Sequence, residues 1–304
     1  MKRILMLLVI AFAAITLVSC NKNDYEYIEG RVNIVATTTM LGDLSKELGG
    51  DYVNVKTLMN VGVDPHNYEP RPSDSTALKK ADLVVVSGLH LEAKMGEVLE
   101  NLPNDKVIVV GNSIPTDKLL KDENNATDPH FWFDISLWKL AANALSTKLI
   151  AVDNTNKEAY KTRLETYLYE LDVLEQYVFD RVSSLEESKR KLVTAHDAFQ
   201  YFANAYGFEV HAIQGISTES EASAKDIQDL ANLVKNLNVK AVFIESSIPE
   251  ATIRSVIDAA KALGHTVTVG GELFSDSLGD SASAAETYIK TIRKNIDTIV
   301  NALK

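Results

Sequence analysis

The chain has 304 residues, 46% of them apolar, and its 31 basic side chains against 42 acidic ones give a net charge of −11. Such a surface repels phosphate backbones and anionic headgroups, which excludes nucleic acid as a partner, and it modestly concentrates cations around the protein. The length suffices for two ordinary α/β domains, each with a core of its own.

In chain order, residues 1–19 read as a signal peptide. Lys2 and Arg3 give a positive start, Ile4 to Leu17 an apolar run too short for a comfortable membrane span, and small residues precede the break. Cys20, the only cysteine, closes Leu17-Val18-Ser19-Cys20. A lone cysteine cannot form an internal disulfide. Its position resembles the lipobox of bacterial lipoproteins, in which this residue is lipidated and becomes the new N terminus. Cys20 and a polar tether are expected to occupy residues 20–30, placing the protein outside the cytoplasm, lipid-anchored on the periplasmic face or the cell surface. Without the leader the chain has 29 basic and 42 acidic residues, a net charge of −13. No later run of about 18 apolar residues could cross a membrane.

Between residues 31 and 152 short β-branched runs alternate with helical patterns, the signature of a parallel sheet wrapped by helices. Strands are expected at Val32 to Thr37, Tyr52 to Leu58, Asp82 to Ser87 and Lys106 to Val110, and helices at Leu41 to Leu48, Ser73 to Lys80, Leu91 to Leu102 and Ser136 to Ile150. The pattern recurs over residues 187–304. There the expected strands are Lys191 to Thr194, Glu209 to Gln214, Val239 to Glu245 and Thr266 to Val269, and the helices Ala198 to Tyr206, Ala224 to Leu237, Pro249 to Leu263 and Ser283 to Leu303. The fold class is therefore α/β, with two similar lobes of roughly four mainly parallel strands each.

The segment joining them, residues 153–186, is the most regular in the protein. No glycine or proline interrupts Lys157 to Leu185, and Tyr160, Leu164, Tyr167, Leu171, Leu174, Val178, Val182 and Leu185 follow at helical spacing. Thr155-Asn156-Lys157-Glu158 reads as a capping box. A helix of about thirty residues spans roughly 45 Å, enough for a rigid strut along both lobes.

Three of the six histidines fall in loops at strand carboxyl ends: His66 in Asp64-Pro65-His66-Asn67, His130 in Asp128-Pro129-His130-Phe131-Trp132, and His196 in Thr194-Ala195-His196-Asp197. Asp276 occupies the matching place after the last strand. In open parallel sheets ligands bind at the carboxyl ends of strands, so the cleft between two lobes could gather these side chains. Three imidazoles and one carboxylate suit a divalent transition ion such as zinc or manganese, whereas calcium and magnesium prefer oxygen alone. Glu245 and Asp197 border the same loops and could orient the ligating rings. His90 follows a strand and is expected to take a hydrogen-bonded role near the cleft. His211, inside a strand, and His265, just before one, are expected to be structural.

Beyond spacing, a set of motifs runs in order through the chain: Gly62-Val63-Asp64-Pro65-His66, Gly88-Leu89-His90-Leu91-Glu92, Asp128-Pro129-His130-Phe131-Trp132-Phe133-Asp134, Thr194-Ala195-His196-Asp197-Ala198-Phe199, Ile244-Glu245-Ser246-Ser247-Ile248-Pro249 and Gly270-Gly271-Glu272-Leu273-Phe274-Ser275-Asp276. Together they resemble the metal-binding lipoproteins of ABC uptake systems, the cluster A-I zinc–manganese family, in its TroA-like branch. The resemblance implies one metal ion held as cargo between two lobes by His66, His130, His196 and Asp276, with zinc or manganese ahead of iron. It also implies a permease and an ATPase as partners, and a monomeric binding protein rather than an enzyme. Zinc-dedicated relatives often carry a His-rich loop in the first lobe, but Asn112 to Thr127 contains no histidine. Two competing readings are a metallohydrolase using the same ligands and an anchored adhesin. A fourth protein ligand closes the shell that a catalytic metal keeps open, and no repeat calls for an adhesin.

Overall fold

The computed structural model describes residues 25–304. The expected leader, Cys20 and the start of the tether lie outside the described residues. In chain order the elements are β1 (Val32–Ala36), α1 (Thr39–Gly49), β2 (Val53–Thr57), α2 (Pro72–Lys80), β3 (Leu83–Val86), α3 (Gly96–Glu100), β4 (Val107–Val109), α4 (Ile135–Val152), α5 (Lys157–Ser183), β5 (Lys191–His196), α6 (Gln200–Tyr206), β6 (Glu209–Gln214), α7 (Ala224–Asn236), β7 (Ala241–Glu245), α8 (Ala251–Ala262), β8 (Thr268–Leu273) and α9 (Tyr288–Leu303). Every expected strand is present.

The first half is a four-stranded parallel sheet in the order β2-β1-β3-β4. Its central strands β1 and β3 are buried on both faces, as continuous apolar runs require, while the edge strands β2 and β4 are half-buried. Alternate residues serve different cores: Ile34, Ala36, Leu83 and Val85 join the core shared with α5, while Val35, Val84 and Val86 pack beneath α2. The second half departs from a single four-stranded ladder. β5 pairs with β6, and β7 with β8, as two parallel ladders, with β5 and β7 lying alongside each other. Where a strand carbonyl would bridge that seam, the Glu245 carboxylate accepts the backbone N–H groups of Ala195 and His196 at 2.8 and 2.9 Å.

Three local expectations require correction. The helix foreseen over Leu91 to Leu102 shrinks to a turn at Ala93–Met95 followed by α3. Gly88, Leu89 and His90 all adopt positive φ, and the Glu92 carboxylate folds back onto the N–H groups of Ser87 and Gly88, which uses the first turn for loop closure. The capping box at Thr155 does not form, because a 3-10 turn precedes α5 and the cap, Asn156, makes no side-chain cap bond. Asp153 anchors the start instead, accepting from Asn156 and from the Tyr160 hydroxyl. The last helix begins at Tyr288 rather than Ser283, since Asp280 and Ser283 bond each other in a tight turn and Ala284 sits at φ 55°.

The long helix behaves as its pattern demands. Tyr160, Tyr167, Leu171, Leu174, Val178 and Val182 are buried along one stripe, inside a core that also takes in β1, α4, Phe199, Phe243 and α9. One apolar core thus runs through both halves. At its centre Trp138 stacks on Tyr288 with ring centroids 4.7 Å apart and donates its indole N–H to the Tyr167 hydroxyl. Removing a fully buried leucine from such a core costs about 2–5 kcal/mol. Leu171→Ala is therefore expected to lower the unfolding free energy of the metal-free protein by that amount in a denaturant titration. Tyr169→Ala, on the exposed face of the same helix, should change it by less than about 0.5 kcal/mol.

Candidate metal centre

Four strand ends aim their loops at one place. His66 follows β2, His130 precedes the turn Phe131–Phe133 beyond β4, His196 is the last residue of β5, and Asp276 follows β8. One ligand atom from each lies within 4.8 Å of all the others. His66 Nε2 is 3.3 Å from His130 Nε2, and Asp276 places Oδ1 3.4 Å from His130 Nε2 and Oδ2 3.2 Å from His196 Nε2. None of the four side chains exceeds 1% exposure. The structure brings together every residue that the sequence singled out for this cluster.

Behind the rings stand acids. His130 Nδ1 lies 2.7 Å from Asp128 Oδ1, which turns Nε2 toward the centre. His196 Nδ1 is 2.6 Å from Glu245 Oε2; the contact is short but off the line of the ring N–H, so neither atom counts as hydrogen-bonded. Glu245 thus stands against the far side of the His196 ring and is not one of the four clustered groups. Asp197 does not orient a ring: it accepts from Gln200 instead, and burial raises its carboxyl above the usual range.

Asp128 is the partner that sequence reasoning left unassigned. A signal was present in the repeated Asp-Pro-His. In both copies the aspartate accepts the backbone N–H of the histidine two residues on, at 2.9 Å for Asp64 and 3.0 Å for Asp128. The proline between fixes the tight turn.

The remaining histidines lie elsewhere. His90 is exposed in left-handed backbone and stands apart from the cluster. His211 pairs with Glu209, and His265 Nε2 lies 2.7 Å from the Val239 carbonyl.

Electrostatically the rings are unequal. Burial lowers the pKa of His66 to about 4, with Asp276 only partly opposing it. Burial also works against charge on His130, but Asp128 and then Asp276 outweigh it and raise the pKa to about 9. His196, likewise opposed by burial, is carried well above the usual imidazole range by Asp276 and Glu245. Asp276 is held well below the ordinary carboxyl range because the two charged rings outweigh its burial. Buried atoms without a hydrogen-bond partner gather at this point, among them His196 Nε2 and Asp276 Oδ1. Orphaned donors of this kind, converging from nitrogen and oxygen, fit a transition-metal cation. An open cavity of about 890 Å³ lies to one side against Asp128 and Asp197, and none of the four clustered residues lines it.

Comparison with known proteins agrees with this geometry. The family described as "Zinc-uptake complex component A periplasmic" matches residues 34–302. The zinc-binding protein TroA of Treponema pallidum is 44% identical over 276 residues, 90% of each chain, and its solved structure superposes with a TM-score of 0.88, covering 90% of this chain and 99% of that one. The manganese-binding lipoprotein MntA of Bacillus subtilis is 38% identical over 298 residues, 97% of each chain. The crystal structure of Fe(III)-bound YtgA from Chlamydia trachomatis is 25% identical and superposes at a TM-score of 0.82, covering 90% of this chain and 98% of that one.

Because Asp128 is the main support for the His130 proton, Asp128→Asn should bring the titration of that ring down from about 9 to or below the ordinary imidazole range near 6.5. NMR of the metal-free protein reads this directly. Linkage gives the matching stability change: a raised folded pKa contributes stability that is full below about 6.5 and lost as pH climbs through about 9. The metal-free protein should therefore lose stability across that window, and Asp128→Asn should flatten the decline.

Proposed function

The chain belongs to the zinc-uptake complex component A family, and from that premise we propose that it captures one divalent transition-metal ion, zinc or manganese, outside the cytoplasm and hands it to the permease of an ABC importer. His66, His130, His196 and Asp276 are the proposed ligands. The observation that carries this reading is the convergence of three ring nitrogens and a carboxylate, all buried, between loops from both halves.

The protonation pattern gives binding a simple charge balance. Ligation needs the free Nε2 of each ring. In the metal-free site His130 and His196 hold protons at neutral pH, and both must leave when the ion enters. Two proton charges depart as two metal charges arrive. The carboxylates of Asp128, Glu245 and Asp276 then hold a cation of the same total charge as before, so the buried site never needs to accommodate a large net change. Zinc outcompetes manganese at nitrogen-containing sites, and the chemistry of the cluster admits either.

Cys20 is proposed to anchor the chain by lipid, with residues 20–30 as tether, lobes over 31–152 and 187–304, and the linking helix over 153–186. The protein is proposed to work as a monomer that docks on a permease driven by an ATPase. No catalytic step is proposed. Four protein ligands at 1% exposure or less leave no position open for a metal-bound water and a substrate, as a metallohydrolase would need, and no feature of the described residues favours an adhesin.

Elemental analysis of the natively purified protein should find one zinc or manganese ion per chain. Asp276→Ala and His66→Ala should each weaken binding by more than the roughly 100-fold that losing a supporting partner costs. Calorimetry in buffers of different ionisation enthalpy should register about two protons released per zinc ion at pH 7, with affinity still climbing as pH rises toward 9. A profile that levels off above pH 6.5 would mean that unperturbed imidazoles bind the ion.

A further inference from the structure

His66 is held differently from its neighbours in the cluster. His196 ends a strand, and His130 leads into a buried aromatic turn whose Trp132 donates to the Ser275 carbonyl. His66 instead rides on a loop that leaves β2 at Thr57. That loop belongs to the first half of the chain, yet it is bonded to the second half on either side of the histidine.

On one side the Gly62 N–H donates to the Ser277 hydroxyl at 2.7 Å, across 215 positions of sequence. Gly62 sits at φ 75°, a conformation that glycine adopts without strain and that turns its N–H toward Ser277. Two positions nearer the histidine, the Thr218 hydroxyl donates to Asp64 Oδ2 at 2.6 Å, and beyond the histidine Asn67 reaches the same threonine. Asn67 reinforces this contact, with its Nδ2 3.0 Å from the Thr218 hydroxyl, 3.2 Å from the Thr218 carbonyl and 3.0 Å from Asp64 Oδ2. The other oxygen of Asp64 accepts the His66 backbone N–H. One carboxylate therefore grips the backbone of His66 with one oxygen and the opposite half of the protein with the other. Thr218 and Ser277 are both buried, and a short hydroxyl-to-carboxylate bond, here part-buried, is among the stronger neutral-donor contacts.

We propose that Thr218 is a positioning residue for retention of the ion: its hydroxyl, together with that of Ser277, clasps the His66 loop to the second half and sets how fast the cargo can leave. The clasp rests on the metal-binding reading above and deepens it. Escape of the ion requires one ligand to withdraw first. His66 is the ligand whose loop carries these tethers, and its withdrawal breaks both of them. With the tethers intact the loop stays closed over the ion; when a partner pulls the halves apart, the same bonds break and His66 leaves with its own half. Among the described residues Thr218 bonds Asp64 and Asn67 and none of the four ligands, so its influence travels through Asp64 to the His66 backbone.

Stopped-flow release of zinc and of manganese into excess chelator tests this on the purified chain. Thr218→Val removes the donor while keeping a branched side chain and should raise the release rate roughly ten- to a hundredfold, the range for losing a hydrogen bond to a charged group. Thr218→Ser, which restores the hydroxyl, should return the rate to near that of the parent. Ser277→Ala breaks the other tether and should accelerate release independently, which keeps the test open if Thr218→Val folds poorly. Parent-like release rates in both Thr218→Val and Ser277→Ala would overturn the clasp, as would a Thr218→Val effect confined to the thermal stability of the metal-free protein. His66→Ala separates the two readings. If it binds zinc as the parent does, the ligand assignment fails and the clasp fails with it; if it loses zinc while the tether variants release at the parent rate, only the clasp fails.

Discussion

Three imidazoles and a carboxylate share a space from which water is excluded, and most of the structure follows from the need to make that burial tolerable. An isolated charge so placed would cost several kcal/mol, and three rings packed against one another cannot all be protonated. The answer lies behind the rings. Asp128 backs His130, Glu245 approaches His196 while also accepting two backbone N–H groups, and Asp276 lies against both from the front. His66, where burial dominates, stays neutral. In the proposed binding step, protons on His130 and His196, whose pKa values the neighbouring acids raise, give way to a doubly charged ion, so the buried charge stays balanced.

That exchange depends on a frame that holds its geometry. The loops start from strand carboxyl ends, fixed by parallel ladders, and the two halves share one apolar core along the long helix. Tyr288 carries this core to the site itself, stacking on Trp138 and donating its hydroxyl to the Trp132 carbonyl beside His130. Opening the halves widely would expose that core. Small motions of loops such as the one bearing His66 are energetically far cheaper, which is why control of release is sought in the tethers of that loop and not in a large hinge.

Much of this was legible in the sequence because the governing patterns are periodic. The β-branched runs marked all eight strands, and the three-and-four spacing from Tyr160 to Val182 marked the helix stripe that is buried. The four clustered residues were legible because chemistry restricts the choice: His and Asp just past parallel strands have few other reasons to converge. What escaped was set by contacts between distant residues. Glu245 replaces a ladder carbonyl only because β5 and β7 happen to lie alongside each other, and Glu92 shortens a helix only because the backbone turns through three left-handed residues before it. The role of Asp128 lay in plain view in a repeated tripeptide, but one that reads equally well as a simple turn. Nothing local in Thr218 announces a partner 154 positions away.

The central claim is geometric, and a crystal of the zinc-loaded protein measured at the zinc absorption edge tests it most directly. The account predicts one anomalous peak per chain, with Nε2 of His66, His130 and His196 and an oxygen of Asp276 at about 2.0–2.2 Å from it, and with Asp128 and Glu245 still on the far side of their rings. A peak in the open cavity beside Asp128 and Asp197, or an ion bound elsewhere while these four side chains remain unligated, would contradict it.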